Sequence, residues 1–291
     1  MRVLRRQGFT VVELLMALVL MGIVTAVIYR VLVGNQQTYL AQTQRIGLQQ
    51  NIRAAATLLP GEFRELDAAD GDISAMSATS ITIRAMRQLG IICSAPLLGG
   101  VLAGLTMTIR QSPLFALRSF NVSTDQLLIY YEGDSTKRSD DTWVTATMSA
   151  MVSLNCPDAK PGWQITMTPS LGAGQNVAGA IKKGSPVRGF EVVTYKLYQA
   201  SDGRWYLGQT KSGATQPLIG PLAGSNGLTF TYFDSTGTVT AVPTNVASIE
   251  IRLRGQTVSP VSRPTAAGVG YVTDSLVTLV ALRNNVLFTG N

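Results

Sequence analysis

The longest apolar run in the chain extends from Phe9 to Tyr29, 21 residues whose only ionisable member is Glu13. As a helix rising 1.5 Å per residue it would span about 31 Å, which matches the hydrocarbon thickness of a bilayer. Beyond it the apolar positions narrow to one face. Ala41, Leu48, Ile52, Ala55, Leu59, Phe63 and Leu66 recur at spacings of three, four and seven, while Gln42, Gln49, Gln50 and Arg53 fall elsewhere. The pattern predicts one long helical region over 9–66, with its lower half laid on a globular body. A helix from Phe9 to Leu59 would reach about 77 Å. Pro60-Gly61 is expected to break or kink it, with a short helix restarting at Pro60.

After residues 67–72 (DAADGD) the texture changes to short runs rich in β-branched and aromatic residues, separated by turn signals. Strands are expected at 80–86, 125–133, 142–154 and 162–167. Residues 190–211 read as a hairpin turning at Asp202-Gly203, and 228–242 as a second around Ser235-Thr236-Gly237. The runs ASIEIRLRG and SLVTLVALRN read as two closing strands. Residues 87–124 and 168–189 read as loop-rich, with 170–180 as a flexible insertion. The expected fold class is α+β, one long helix on an antiparallel sheet.

With 46% hydrophobic and 14% charged residues among 291, the chain can bury a sizeable core. The formal charge of +7 is partly a leader effect, because Arg2, Arg5 and Arg6 all precede Gly8. Without them 21 basic residues face 17 acidic ones, and the basic residues form no stripe. Nucleic acid is therefore not expected as a direct partner. The two cysteines, Cys93 and Cys156, each lie beside a turn-forming stretch. Outside the cytoplasm a disulfide is the natural reading and would stabilise by about 2–4 kcal/mol; the alternative is two buried thiols.

The N-terminal run has three readings. A secretory signal would be uninterrupted and followed by a cleavage site, and the candidates near Thr25-Ala26 fit poorly. A plain anchor gains nothing from Glu13, since a charge at mid-membrane costs about 2.5–3.5 kcal/mol. A function that needs the carboxylate remains. Cleavage between Gly8 and Phe9 would create an α-amine four residues before Glu13, an apt partner for a carboxylate in low dielectric, most easily between neighbouring helices.

The string Gly8-Phe9-Thr10-Val11-Val12-Glu13-Leu14, after a short basic leader and before an apolar helix, resembles the prepilin signal of type IV pilins and type II secretion pseudopilins. The resemblance implies cleavage after Gly8 by prepilin peptidase, N-methylation of Phe9, and contact of Glu13 with a neighbouring subunit's N-terminus during assembly. Major pilins often carry a proline where Arg30 stands, and its absence points to a minor subunit. The stretches VVTYKLYQ, PLIGPLAGSNGLTFTYFDSTG and PTNVASIEIRLR resemble the minor pseudopilin J and PilW-type minor pilin group. The implied organisation is a leader at 1–8, a helix at 9–66 with 9–29 as membrane and assembly segment, and a periplasmic β-rich domain at 67–291. The implied location is the inner membrane, crossed once with the N-terminus cytoplasmic, and then a pilus or pseudopilus. The implied partners are other minor subunits and the major subunit, at a tip or initiation complex.

No catalytic constellation competes. The chain has no histidine, which removes the common general base and zinc ligand and excludes a serine hydrolase on the usual plan. Gly179 to Gly184 has phosphate-loop spacing, but Ser185 stands where lysine is required. Gly172-Ala173-Gly174 lacks the third glycine of a dinucleotide fingerprint, Val177 being there instead, and Lys211-Ser212-Gly213 lacks a partner nucleophile motif. Asp67, Asp70 and Asp72, and Asp134, Asp140 and Asp141, do not follow the order of a calcium loop. No cofactor, metal or enzymatic activity is expected. The rival reading is a membrane-anchored binding module, such as an adhesin or DNA-uptake receptor, or an anchored enzyme with a prepilin-like start.

Overall fold

The computed structural model describes residues 10–98, 105–116, 118–132, 134, 136–137, 141–170, 180–262 and 268–283. The single α-helix among the described residues, α1 (Val11–Phe63), is 53 residues long, about 80 Å at 1.5 Å per residue. Leu48, Ile52, Ala55, Leu59 and Phe63 are buried on its lower half, as is Leu66 just beyond its end, whereas Gln42, Gln49, Gln50 and Arg53 are exposed. The helix does not restart at Pro60 but runs through it and ends three residues later. Pro60 removes one backbone donor, while its own carbonyl still accepts from the Arg64 N–H at 3.0 Å. Leu59 and Phe63, both fully buried, hold the last turn on either side of the proline. Residues 64–66 leave the helix, so it is slightly shorter than its apolar pattern.

The strands are β1 (Ile73–Ser77), β2 (Ser80–Leu98), β3 (Leu105–Arg110), β4 (Phe115–Ala116), β5 (Gln126–Tyr131), β6 (Thr142–Ser153), β7 (Gly162–Ser170) and β8 (Pro186–Gln199), followed by β9 (Trp205–Lys211), β10 (Ala214–Leu222), β11 (Leu228–Phe233), β12 (Ser248–Gln256), β13 (Val261–Ser262), β14 (Val269–Gly270) and β15 (Thr273–Ala281). Every pairing is antiparallel, and together with α1 they make an α+β fold. The stretch 87–124 is not loop-rich, because it holds the second half of β2 as well as β3 and β4. Within 168–189, β7 ends at Ser170 and β8 begins at Pro186, and the predicted insertion lies almost wholly outside the described residues. The hairpin expected over 228–242 reduces to β11 and one isolated bridge, Phe233 to Val239. Asp234 accounts for this, since its Oδ1 accepts from the N–H groups of Thr236 and Thr238 and closes a turn in place of a ladder.

Two hydrophobic clusters share this framework. In the first, Leu59 and Phe63 of α1 meet Ile81, Val193, Tyr195, Phe230 and Ile251 of the sheet. In the second, the pairing order β2, β3, β7, β6, β5, β8 returns to β2 and closes a ring. Each ring strand sends residues inward, among them Ile92, Ile109, Ile129, Val144, Ile165 and Val187. β2 and β8 are long enough to serve both clusters. β8 makes the transition by exchanging neighbours, from β5 at Val187–Phe190 to β9 at Thr194–Gln199.

The helix lies on β10, β12, β13 and β15. Polar contacts fix its register there: Asn51 Nδ2 donates to the Gly220 carbonyl at 3.0 Å, and the Val258 N–H donates to Gln44 Oε1 at 3.1 Å. At the closest approach the sheet offers Gly255, where a Cβ would lie 2.7 Å from Leu48 Cδ1 and 3.1 Å from Ile52 Cγ1. Gly255→Val should therefore lift the helix from β12 and cost about 1–3 kcal/mol, measured by urea unfolding of the detergent-solubilised chain. An unchanged midpoint would show that the helix is not seated there.

Candidate functional site

The upper half of α1 begins with a capping box. Thr10 is the N-cap, and its hydroxyl accepts from the Glu13 N–H at 3.3 Å. The Glu13 carboxylate reaches back to accept from the Thr10 N–H and hydroxyl, each at 2.9 Å. Two donors left open by the first turn are satisfied this way, and the negative charge sits at the positive end of the helix dipole. Gly8 and Phe9 lie outside the described residues. Thr10 was not singled out by the sequence reading, although Thr-x-x-Glu before an apolar run is the signature of such a box.

From Val11 to Leu32, sixteen large apolar side chains stand exposed, none of them covered by the rest of the fold. Their contact with water would cost on the order of tens of kcal/mol, more than the net stability of an ordinary domain. Within the segment the Thr25 hydroxyl is satisfied by its own helix, Oγ1 donating to the Met21 carbonyl at 2.7 Å. Among the described residues this is the one helix long and apolar enough to cross a membrane.

The body below is held by an ionic seam between the two clusters. Arg87 donates from Nε to Glu191 Oε2 at 3.0 Å and from Nη1 to both oxygens of Glu62, at 2.9 and 3.1 Å. Arg118 reaches Glu191 Oε1 at 3.1 Å and pairs in two-pronged fashion with Asp125. Lys211 also donates to Glu191, at 3.2 Å. Burial pushes the Glu191 carboxyl up, but Arg87, Lys211 and Arg118 together hold it below its ordinary value. Tyr195, fully buried beside this seam, has its hydroxyl pushed up to about 12, by burial first and by the Glu62 charge second.

Cys93 and Cys156 are joined, with their Cα atoms 5.7 Å apart, and tie β2 to the segment between β6 and β7 at the far end of the ring. Among the acidic residues considered for calcium, Asp67 and Asp72 serve the loop itself. Asp72 Oδ2 accepts from the Asp67 N–H at 2.8 Å, and Asp67 Oδ1 from the Asp70 N–H at 3.2 Å. Asp140 lies outside the described residues, and among those described no group of three or more His, Cys, Asp or Glu could hold a metal ion.

Fold and site together define a membrane-anchored α+β protein with its apolar helix uncovered. Residues 4–29 match the family described as the prokaryotic N-terminal methylation motif, which supports recognition of the chain as type IV pilin- or pseudopilin-like. The motif is one of pilin-like proteins, and in general it implies assembly with other pilin subunits and processing by prepilin peptidase. No curated protein and no solved structure matches the chain.

The Asp72 carboxyl is buried, and burial pushes it up to about 6, against the lowering hydrogen bond from Asp67 and the attraction of Arg84 at 3.9 Å. A raised value in the fold means that its contribution to stability is complete below about pH 4 and is lost as pH rises through about 6. Asp72→Asn removes that ionisation. The variant should exceed the parent by about 3 kcal/mol at pH 8, and the gain should vanish near pH 4, in unfolding measured across that range. A pH-independent difference would contradict the burial argument.

Proposed function

We propose that the chain is a minor pilin or pseudopilin, made as a prepilin, cleaved after Gly8, methylated on Phe9 and assembled into a type IV pilus or type II secretion pseudopilus. The observation that carries this reading is the uncovered apolar half of α1, continuous with the half seated on the sheet. Such a helix is soluble in a bilayer and equally in a bundle of like helices. A subunit can therefore pass from membrane to filament without exposing its apolar side chains to water. The work is mechanical, and the globular body rides outside the bundle.

In this reading Arg2, Arg5 and Arg6 hold the leader on the cytoplasmic side. The body, residues 67–291, stands in the periplasm, a compartment in which a Cys93–Cys156 bridge persists. The partners are other minor subunits and the major subunit. A position at the tip or in an initiation complex follows from the resemblance of the second half to minor pilins and pseudopilin J, and from Arg30 in place of a proline.

Glu13 has two tasks here: it caps its own helix and, through its charge, pairs with the α-amine of a neighbour. The two separate by substitution. Gln can replace Glu in a capping box but carries no charge. Both Glu13→Gln and Glu13→Val should insert into the membrane normally, and both should lower recovery in sheared filaments at least about tenfold. Normal recovery of the Gln variant with loss of the Val variant would leave Glu13 as a cap alone and refute the pairing.

A further inference from the structure

On the outer face of the sheet two tyrosine rings occupy the places of absent side chains. Tyr198 of β8 and Tyr206 of β9 stand opposite one another in register. Their neighbours Leu197 and Leu207 turn inward, to the cluster that holds Phe63 of the helix, so the two tyrosines point outward. A Cβ at Gly208 would lie 2.8 Å from Tyr198 Cδ1, and one at Gly220 would lie 2.6 Å from Tyr206 Cδ1. Each ring therefore rests on the backbone of the next strand, Tyr198 on β9 and Tyr206 on β10. Both side chains are half-buried, and the part left to solvent is the ring's outer side. The ring centroids are 6.4 Å apart and the planes are inclined by 39°, a stepped platform that follows the twist of the strands. Pro217, exposed and opposite Gly208 on β10, extends the apolar surface.

The platform is bordered by hydroxyl, amide and carboxylate groups. The Tyr206 hydroxyl donates to Asp202 Oδ2 at 2.8 Å, which fixes that ring, and Gln199 Nε2 donates to the Gly203 carbonyl at 2.8 Å. Beside the rings runs a row of threonines, Thr82, Thr194, Thr210 and Thr215, one on each of β2, β8, β9 and β10. The row adjoins the platform, because Thr215 Cγ2 lies 3.1 Å from the same Cβ position at Gly208. Its hydroxyls meet in two pairs, Thr82 with Thr194 and Thr210 with Thr215, each at 2.8 Å. A pair uses one hydroxyl proton and leaves the second to a ligand. Flat apolar surface edged by such groups is complementary to a sugar, which carries C–H bonds on the face of its ring and hydroxyls around the rim. The electron-rich face of an aromatic ring attracts those C–H groups. The charges near the rings, Lys196, Asp202 and Arg204, are of both signs, unlike the basic stripe that follows a phosphate backbone.

We propose that the outer face of β8, β9 and β10 binds an extended, uncharged glycan of β-1,4-linked sugars, with one ring stacked on Tyr198 and a neighbouring ring on Tyr206. The threonine row and the Gln199 and Asp202 groups take hydrogen bonds from the sugar hydroxyls or give them. An extended chain suits two rings laid side by side, whereas an α-1,4-linked chain coils and can place only one sugar flat. The platform lies wholly in the globular body, so the inference is independent of prepilin processing and filament assembly.

The test is isothermal titration of the full chain, solubilised in a detergent without a sugar headgroup, with cellohexaose, chitohexaose, maltohexaose and single-stranded oligothymidylate. Cellohexaose or chitohexaose should bind, and the tighter of the two distinguishes a plain glucan from an N-acetylated, cell-wall-like chain. Maltohexaose should bind at least about tenfold more weakly. Tyr198→Leu still covers Gly208 but offers no ring, so it should keep the parent's melting temperature and bind at least about tenfold more weakly. Tyr198→Phe keeps the ring and should bind as the parent does. Absence of binding by both β-linked glycans, equal binding of maltohexaose, undiminished binding by Tyr198→Leu, or preference for the oligonucleotide would each overturn the proposal.

Discussion

One rod serves two environments. α1 is one continuous helix from Val11 to Phe63, lacking only the bond that Pro60 cannot donate in its last turn, so the part that cannot remain in water and the part that fastens to the sheet move as one body. The lower half is fastened by burial of Leu48, Ile52, Ala55, Leu59 and Phe63, by the close approach at Gly255, and by the Asn51 and Gln44 hydrogen bonds. Among the described residues nothing fastens the upper half. Any device that covers it, lipid or a bundle of similar helices, therefore fixes where the whole body sits. A hinge at Pro60 would have broken this link. Because the proline falls in the last turn, it costs one backbone hydrogen bond and leaves the rod intact.

The body repeats the same economy with two clusters and shared strands. β2 and β8 run through both, and the ionic seam of Arg87, Glu62, Glu191, Arg118 and Lys211 lies where they pass from one to the other. Arg87 touches both the helix, at Glu62, and β8, at Glu191, so the rod, the sheet and the ring meet in one guanidinium. Buried charges of this kind are costly unless every partner is present. Its arrangement thus specifies the mutual placement of the parts more than it adds stability.

Much of this was legible in the residues. A seven-residue apolar period identifies the buried face of α1, because a helix must bury one stripe and wet the other. The alternation in 248–256 and 190–199 identifies β12 and β8 for the same reason in period two. What failed to show did so for local reasons. β10 was not assigned from the sequence, since it carries Pro217 and Pro221, yet it pairs along its length with β9 and meets β12 at Leu222 alone, so a missing N–H costs little on its other edge. β2 seemed to end at Met86 because a register shift between Met86 and Gln88 interrupts its alternation. At the site, Glu13 was visible as an anomaly in an apolar run, while its bond to Thr10 needed the capping signature to be read as geometry. The closed ring could not be read at all, since closure joins β2 to β8, β5 to β8 and β3 to β7, and no short-range pattern records which strands meet.

The account rests on α1 being an assembly segment rather than a permanent anchor or a removable signal, and the chemistry of the mature N-terminus decides among these. The most direct measurement is the intact mass of the chain extracted from its native membranes, joined to sequencing of its N-terminal peptide. A chain that begins at methylated Phe9 is the predicted result. Retention of Met1 in cells with active prepilin peptidase, or a start beyond Ala26, would contradict the assembly reading and leave an anchored or secreted β-rich body in its place.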